Sequence, residues 1–278
     1  MRIAAVASVL LLAVGAVRLA AVAAVGRRSR AFTTDAAGVQ PAVERGFAFI
    51  RKNGAVHSAS DLSALMVLDY LQRRYALAPD LAFSEWTALA HSPDDRRLWG
   101  RFVGVQRPVD AATLGTLAGR PSIDAVVMHA LYCDQVPLPA AYGSVLRQFA
   151  ERGGYELTHA SLALEIVRDN RCSLEAPDEG TLEELLRRRL RSLLARAPAD
   201  PRYEELDVRY EALAVLEDFL GTRDVPSALV ARVLRDQQPD GGWKPQGDQV
   251  SALHPTVMAV WALLVSIHPD APAIRFAR

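Results

Sequence analysis

Cysteine is scarce in this chain: among 278 residues only Cys133 and Cys172 occur. Two thiols exclude a Cys-rich zinc site and a disulfide-framework fold. Net charge is also lacking, because 32 basic and 32 acidic side chains cancel. No field of the whole protein therefore draws it to nucleic acid or to an acidic polymer, and none is expected as a partner. Strict apolar/polar alternation, the mark of half-buried strands, is almost absent from Pro41 onward. Acids are missing altogether from residues 1–34, where Arg2, Arg18, Arg27, Arg28 and Arg30 stand.

That acid-free start contains an apolar run from Ile3 to Val25, broken by Arg18. At about 1.5 Å per helical residue the run reaches roughly 35 Å, enough to span a bilayer. Residues 3–25 are thus expected to meet the membrane, as an anchor whose Arg27, Arg28 and Arg30 stay on the cytoplasmic side. A cleaved signal peptide ending near Ala21-Val22-Ala23 and an Arg- and Ala-rich organelle transit peptide remain alternatives. The domain division expected is residues 1–30 as anchor or signal segment and residues 31–278 as one folded domain.

Half of the residues are hydrophobic, ample for a core. Beyond Pro41 the apolar spacing is helical, so an all-α fold is expected. Two kinds of helix alternate. Thr181–Ala195 is amphipathic, with leucines 182, 185, 186, 190, 193 and 194 on one stripe and Glu183 and Glu184 four residues before Arg187 and Arg188. Ile123–Tyr132, Leu157–Val167, Tyr210–Leu220 and Pro255–Ile267 are apolar nearly all round and must be enclosed. Outer helices are expected over 41–52, 109–118, 139–151, 179–196 and 226–237, and inner ones over 58–72, 122–133, 157–170, 206–220 and 255–267. Five hairpins follow, or six if 76–105 holds a further pair broken at His91-Ser92-Pro93. Such alternation implies an α/α barrel, with an irregular helical bundle as the alternative. His57-Ser58, Ser122, Thr158 and His254-Pro255 stand where inner helices should begin.

The most specific stretch is Gln237–Leu264, QQPDGGWKPQGDQVSALHPTVMAVWALL. It resembles the repeat of the terpene-cyclase and protein-prenyltransferase α/α toroids: a glutamine-rich helix end, an Asp-Gly-Gly-aromatic turn, a polar loop, and a His at the head of an apolar helix. Weaker copies are Gly153-Gly154-Tyr155 with Thr158-His159, and Asn53-Gly54 with His57-Ser58. The resemblance is best over residues 150–268 and implies a toroid of five to six hairpins. In the turn itself, Gly241 and Gly242 are expected to supply positive φ angles and Trp243 to cover a hairpin end.

Prenyltransferase β subunits hold zinc through an Asp-x-Cys pair and a His. Asp207 and His254 match that pattern, but Arg209 stands at the Cys position, and a guanidinium has no lone pair to give. The Asp-x-Asp-Asp run of the acid-catalysed cyclases is absent. Gln237–Pro245 is also similar to a stretch of the α/α-barrel pectate lyases, without an acidic cluster that suggests their calcium site. No metal and no cofactor are expected.

Asp207, Arg209, Trp243 and His254 are expected to line one mouth of the barrel, with Asp207 and Arg209 as an ion pair. His57 and His159 join them at inner-helix starts, or else these histidines are capping groups. His129, mid-helix, reads as a buried, hydrogen-bonded residue. Cys133 and Cys172 end consecutive inner helices, so a disulfide between them and a pair of buried thiols are both open. The function expected is a membrane-associated domain whose inner-helix cavity binds an apolar or partly polar ligand or a protein segment. The alternative is an enzyme acting on an isoprenoid or carbohydrate.

Overall fold

A computed structural model describes residues 36–57, 62–77, 95–104, 109, 111–118, 122–174, 179–196, 205–221, 226–245, 250–272, 274 and 276. The expected membrane segment at residues 3–25 lies outside them. Among the described residues no helix is long and apolar enough to cross a membrane. The chain divides into two compact units, residues 1–40 and 41–278, and the account below concerns the second.

The described structure is helical, with one isolated bridge between Trp243 and Ala252 in place of any strand. The helices are α1 (Ala36–His57), α2 (Leu62–Tyr75), a 3-10 turn at Asp95–Arg101, α3 (Ala111–Ala118), α4 (Ile123–Leu131) and α5 (Tyr142–Arg152). They continue as α6 (Gly154–Asp169), α7 (Glu179–Ala195), α8 (Glu205–Asp218), α9 (Ser227–Asp236) and α10 (Leu253–Ile267).

Burial follows the two expected kinds of helix. Every residue of α8 from Asp207 to Leu216 is buried, as is α10 from Pro255 to Val265. On α7 the buried side chains are Leu182, Leu185, Leu186, Leu190 and Leu194, while Glu184, Arg188, Arg189 and Arg191 face solvent. The apolar stripe decides which way each helix faces.

The inner helices pack in order: α4 against α6, α6 against α8, α8 against α10, and α10 against α2. The 3-10 turn links the two ends of that series. Arg73 of α2 donates to the Phe102 carbonyl at 2.6 Å, and Tyr132, just after α4, donates to the Leu98 carbonyl at 3.0 Å. Arg101 clasps Asp134 with two hydrogen bonds of 2.6 and 2.7 Å. Outside this series α3 lies on α4, α5 on α6, α7 on α6 and α8, and α9 on α10.

Several local details depart from the sequence reading. Asn53-Gly54 is no turn: α1 runs through it, and His57 ends that outer helix instead of opening an inner one. The Asn53 amide donates to the Phe49 carbonyl one turn back, which keeps the residue helical. The α6 helix begins at Gly154, so Thr158 lies inside it and donates to the Tyr155 carbonyl. Ser122 does cap α4, accepting from the Ala125 N–H at 3.1 Å.

Cys133 and Cys172 form a disulfide with Cα atoms 6.1 Å apart. Beside it the Asn170 amide donates to the Ala130 and Leu131 carbonyls, satisfying the end of α4. The C-terminal ends of α4 and α6 are thus joined twice, covalently and by hydrogen bonds.

Candidate functional site at the start of three inner helices

Spacing of four residues places Tyr155 and His159 on one face of α6, and Asp207 and Glu211 on one face of α8. His254 is the second residue of α10. Packing of α6 and α10 on either side of α8 brings these five side chains together.

Asp207 is the centre of the group. Its Oδ2 accepts the Tyr155 hydroxyl at 2.5 Å and the His254 Nδ1–H at 2.6 Å. The Tyr155 and His254 rings meet edge to face, centroids 6.2 Å apart. His159 Nδ1 donates to the Tyr155 carbonyl at 2.9 Å and lies 3.5 Å from the Glu211 carboxylate. A carbonyl and a carboxylate only accept, so both imidazoles carry hydrogen on Nδ1 and, when neutral, hold the acceptor lone pair on Nε2.

The carboxylates are buried, Asp207 at 7% and Glu211 at 6% exposure. The imidazoles in front of them keep about a fifth of their surface exposed, 19% for His159 and 20% for His254. Asp207 Oδ1 and Glu211 Oε2 are buried without a hydrogen-bond partner. Burial pushes the Glu211 carboxyl above the usual carboxylate range, against the lowering pull of the His159 and His254 imidazoles. Two carboxylate–imidazole pairs side by side can hold a proton in more than one place, which suits polar ligand binding or acid–base work.

The other expected mouth residues go elsewhere. Arg209, two positions along α8 from Asp207, projects to the opposite side and donates to the Arg196 carbonyl at 2.6 Å. The Asp207–Arg209 ion pair does not form, because two helical positions turn a side chain through about 200°. Trp243 is completely buried, its ring N–H on the Val233 carbonyl at 2.7 Å. It is a core residue under the turn, not part of a mouth. The side chain of His57 lies outside the described structure. His129 is buried with Nε2 unpartnered, and burial lowers its pKa.

A zinc site of the prenyltransferase kind does not fit these residues. Asp207 and His254 are bonded to each other, and the residue at the third ligand position is a guanidinium facing away. Among the described residues no three His, Cys, Asp or Glu side chains are grouped to hold a metal.

A second polar cluster occupies the opposite ends of the inner helices. Asp218 accepts Tyr70 Oη at 2.7 Å and Trp261 Nε1 at 2.8 Å, and pairs with Arg74. Burial raises its carboxyl, and these three partners pull it back down. The neighbouring Glu217 carboxyl is pushed up to about 8 by burial and by the Asp218 charge.

No protein-family model, no curated protein and no solved structure matches the chain.

Proposed function

We propose that the protein is an exported, membrane-tethered α/α-toroid domain that binds a small, partly polar ligand at the mouth formed by α6, α8 and α10. The toroid is supported by the inner helices packing in sequence order, by α10 meeting α2, and by the 3-10 turn bridging α2 to α4. Export is supported by the Cys133–Cys172 disulfide, since such bonds persist in oxidising compartments. The tether is the apolar run at residues 3–25.

One observation carries the ligand site. Asp207 collects a hydroxyl from one neighbouring inner helix and an imidazole N–H from the other, holding His254 and Tyr155 in fixed orientation. Oriented, partly exposed polar groups over a buried carboxylate are the composition of a binding mouth.

A second reading, acid–base catalysis on an isoprenoid or carbohydrate substrate, is favoured by Glu211. Its raised carboxyl would serve as the acid while His254, aligned by Asp207, serves as the base. Native mass spectrometry of the protein purified from its own host tests the binding site. A bound small molecule is expected with the wild type and is lost from the His254→Gln variant. A wild type that carries nothing, or a variant that keeps the molecule, counts against the mouth.

A further inference from the structure

The outer helix α7 has two halves that differ in charge. In the first half an acid is answered by bases: Glu183 pairs with Arg187 one turn on and with Arg168 of α6. In the second half acids are missing, for none occurs between Leu185 and Ala199. Arg188, Arg189, Arg191 and Arg196 are all exposed there. None of the four makes an ion pair or a side-chain hydrogen bond with a described residue. We propose that this face of α7 docks on an anionic phospholipid surface.

Helix geometry gathers the charge. Arg188 and Arg191 stand three positions apart on the side turned away from the buried leucines, and Arg189 and Arg196, seven apart, flank them. Neighbouring like charges weaken a helix. Glu184, four positions before Arg188, is placed to relieve them and forms no ion pair with it. The helix therefore keeps a concentration of positive charge that its own fold does not use.

The kind of partner follows from how these arginines are held. A ligand with one anionic head is recognised by donors fixed in direction, and exposed guanidinium groups without partners supply none. A surface of many anionic headgroups needs only positive charge close to it. A nucleic acid would extend beyond one helix, and 32 acids against 32 bases leave no wider positive field to follow it. The inference rests on the tether proposed above for proximity alone, since the apolar run at residues 3–25 keeps lipid within reach. Each basic side chain near an anionic leaflet is worth roughly fivefold in binding, and the attraction fades over a Debye length of about 8 Å at physiological salt.

Full-length protein is placed in nanodiscs of phosphatidylcholine, with and without phosphatidylglycerol, that carry a trace of rhodamine-labelled lipid. Ser192→Cys sets a fluorescein label among the arginines, and Ala112→Cys on α3 is the control. Both positions are exposed, and the native cysteines, bonded to each other, do not take the label. Energy transfer from position 192 to the lipid is expected to rise with phosphatidylglycerol, more than transfer from position 112, and to fall again in about 0.5 M salt. The combined variant Arg188→Glu, Arg189→Glu and Arg191→Glu should abolish the rise, and glutamine at the same three positions should reduce it.

Protein that does not stay with phosphatidylcholine nanodiscs lacks the tether, and its docking is then read by cosedimentation with phosphatidylglycerol vesicles. There the glutamate variant should bind at least roughly a hundredfold more weakly than wild type. The proposal is overturned if phosphatidylglycerol leaves the transfer at position 192 unchanged or raises it no more than at position 112. It is equally overturned if untethered protein does not cosediment, if neither arginine variant differs from wild type, or if polyuridylate binds as tightly as the vesicles.

Discussion

His254 at the head of α10 donates its Nδ1–H to Asp207 at the head of α8 over 2.6 Å, across a boundary between helices 47 residues apart in the chain. The same carboxylate oxygen takes the Tyr155 hydroxyl. Three inner helices are therefore registered against one another by a single buried side chain. In Asp207→Asn the amide oxygen still takes both donors but without the carboxylate charge, and an NH₂ group is buried in place of the unpartnered Oδ1. A loss of about 1–3 kcal/mol is expected in urea unfolding. The downfield ring N–H resonance of His254 should move upfield in the proton NMR spectrum of this variant, because the acceptor loses its charge. Its persistence unchanged would show that the observed pairing does not exist in solution.

Tyr155→Phe is the milder probe of the same junction. It removes one hydroxyl donor and leaves His254 on Asp207, so a loss of roughly 1 kcal/mol is expected, with the His254 N–H resonance retained. A loss as large as that of Asp207→Asn would mean that the tyrosine, not the histidine, is the main support of the carboxylate.

The disulfide makes a prediction about chemistry as well as stability. Protein purified without reductant and then denatured should contain no titratable thiol, since the chain's two cysteines are bonded to each other. Replacing both by serine frees the unfolded chain from a loop spanning 39 positions and should cost about 2–4 kcal/mol. Two reactive thiols in the native-host protein would remove the support for export.

Much of the helical layout is legible in the sequence because burial writes itself into composition. The all-round apolar run in α10 could only belong to an enclosed helix, and the leucine stripe of α7 only to an outer one. Tyr155 and Glu211 carry no motif of their own, although each stands four positions from an expected mouth residue, His159 and Asp207. Spacing on a helix face was the available signal. The Asp-x-Cys likeness puts Arg209 beside Asp207, yet positions i and i+2 of a helix face apart. Asn53-Gly54 pairs two residue types that favour turns, and packing of α1 overrides that preference.

The Gly-Gly-Trp turn needs its two glycines for different reasons. Gly241 has φ +88°, and a Cβ there would sit 2.6 Å from the Arg45 carbonyl oxygen. Gly242 carries no such angle; a Cβ on it would lie 2.9 Å from the Phe49 ring and 2.6 Å from Ser251 Cβ. Opposite them, a Cβ on Gly46 of α1 would come within 2.6 Å of Val260 and 3.1 Å of the Trp243 ring. The turn, α1 and α10 thus close on one another through missing side chains. Gly46→Ala should cost about 1–3 kcal/mol by overpacking, with the loss reduced in Gly46→Ala combined with Val260→Ala. Additive losses in the double variant would contradict the contact.

Glu217 sets the expected pH dependence of stability. Burial and the Asp218 charge raise its carboxyl from 4.5 to about 8 in the folded protein. The folded state then holds a proton that the unfolded state has already released over that interval. Fewer protons in the unfolded state mean that stability falls as pH rises. The contribution is complete below about 4.5 and is lost as pH climbs to about 8. Glu165, raised to about 7 by burial and by the charge of Asp169, acts in the same direction over the lower part of the interval. Arg74 and Tyr75 also face this cluster, and neither guanidinium nor phenol changes charge there, because Arg74 and Tyr75 are both raised above their usual values. Thermal midpoints measured at about pH 5.5 and about pH 8.5 should therefore fall in the wild type. They should fall distinctly less in Glu217→Gln, which keeps the shape and cannot ionise. An identical fall in both proteins would mean that Glu217 is already charged in the fold, and that its carboxylate has found a partner among the groups at the ends of α2 and α8.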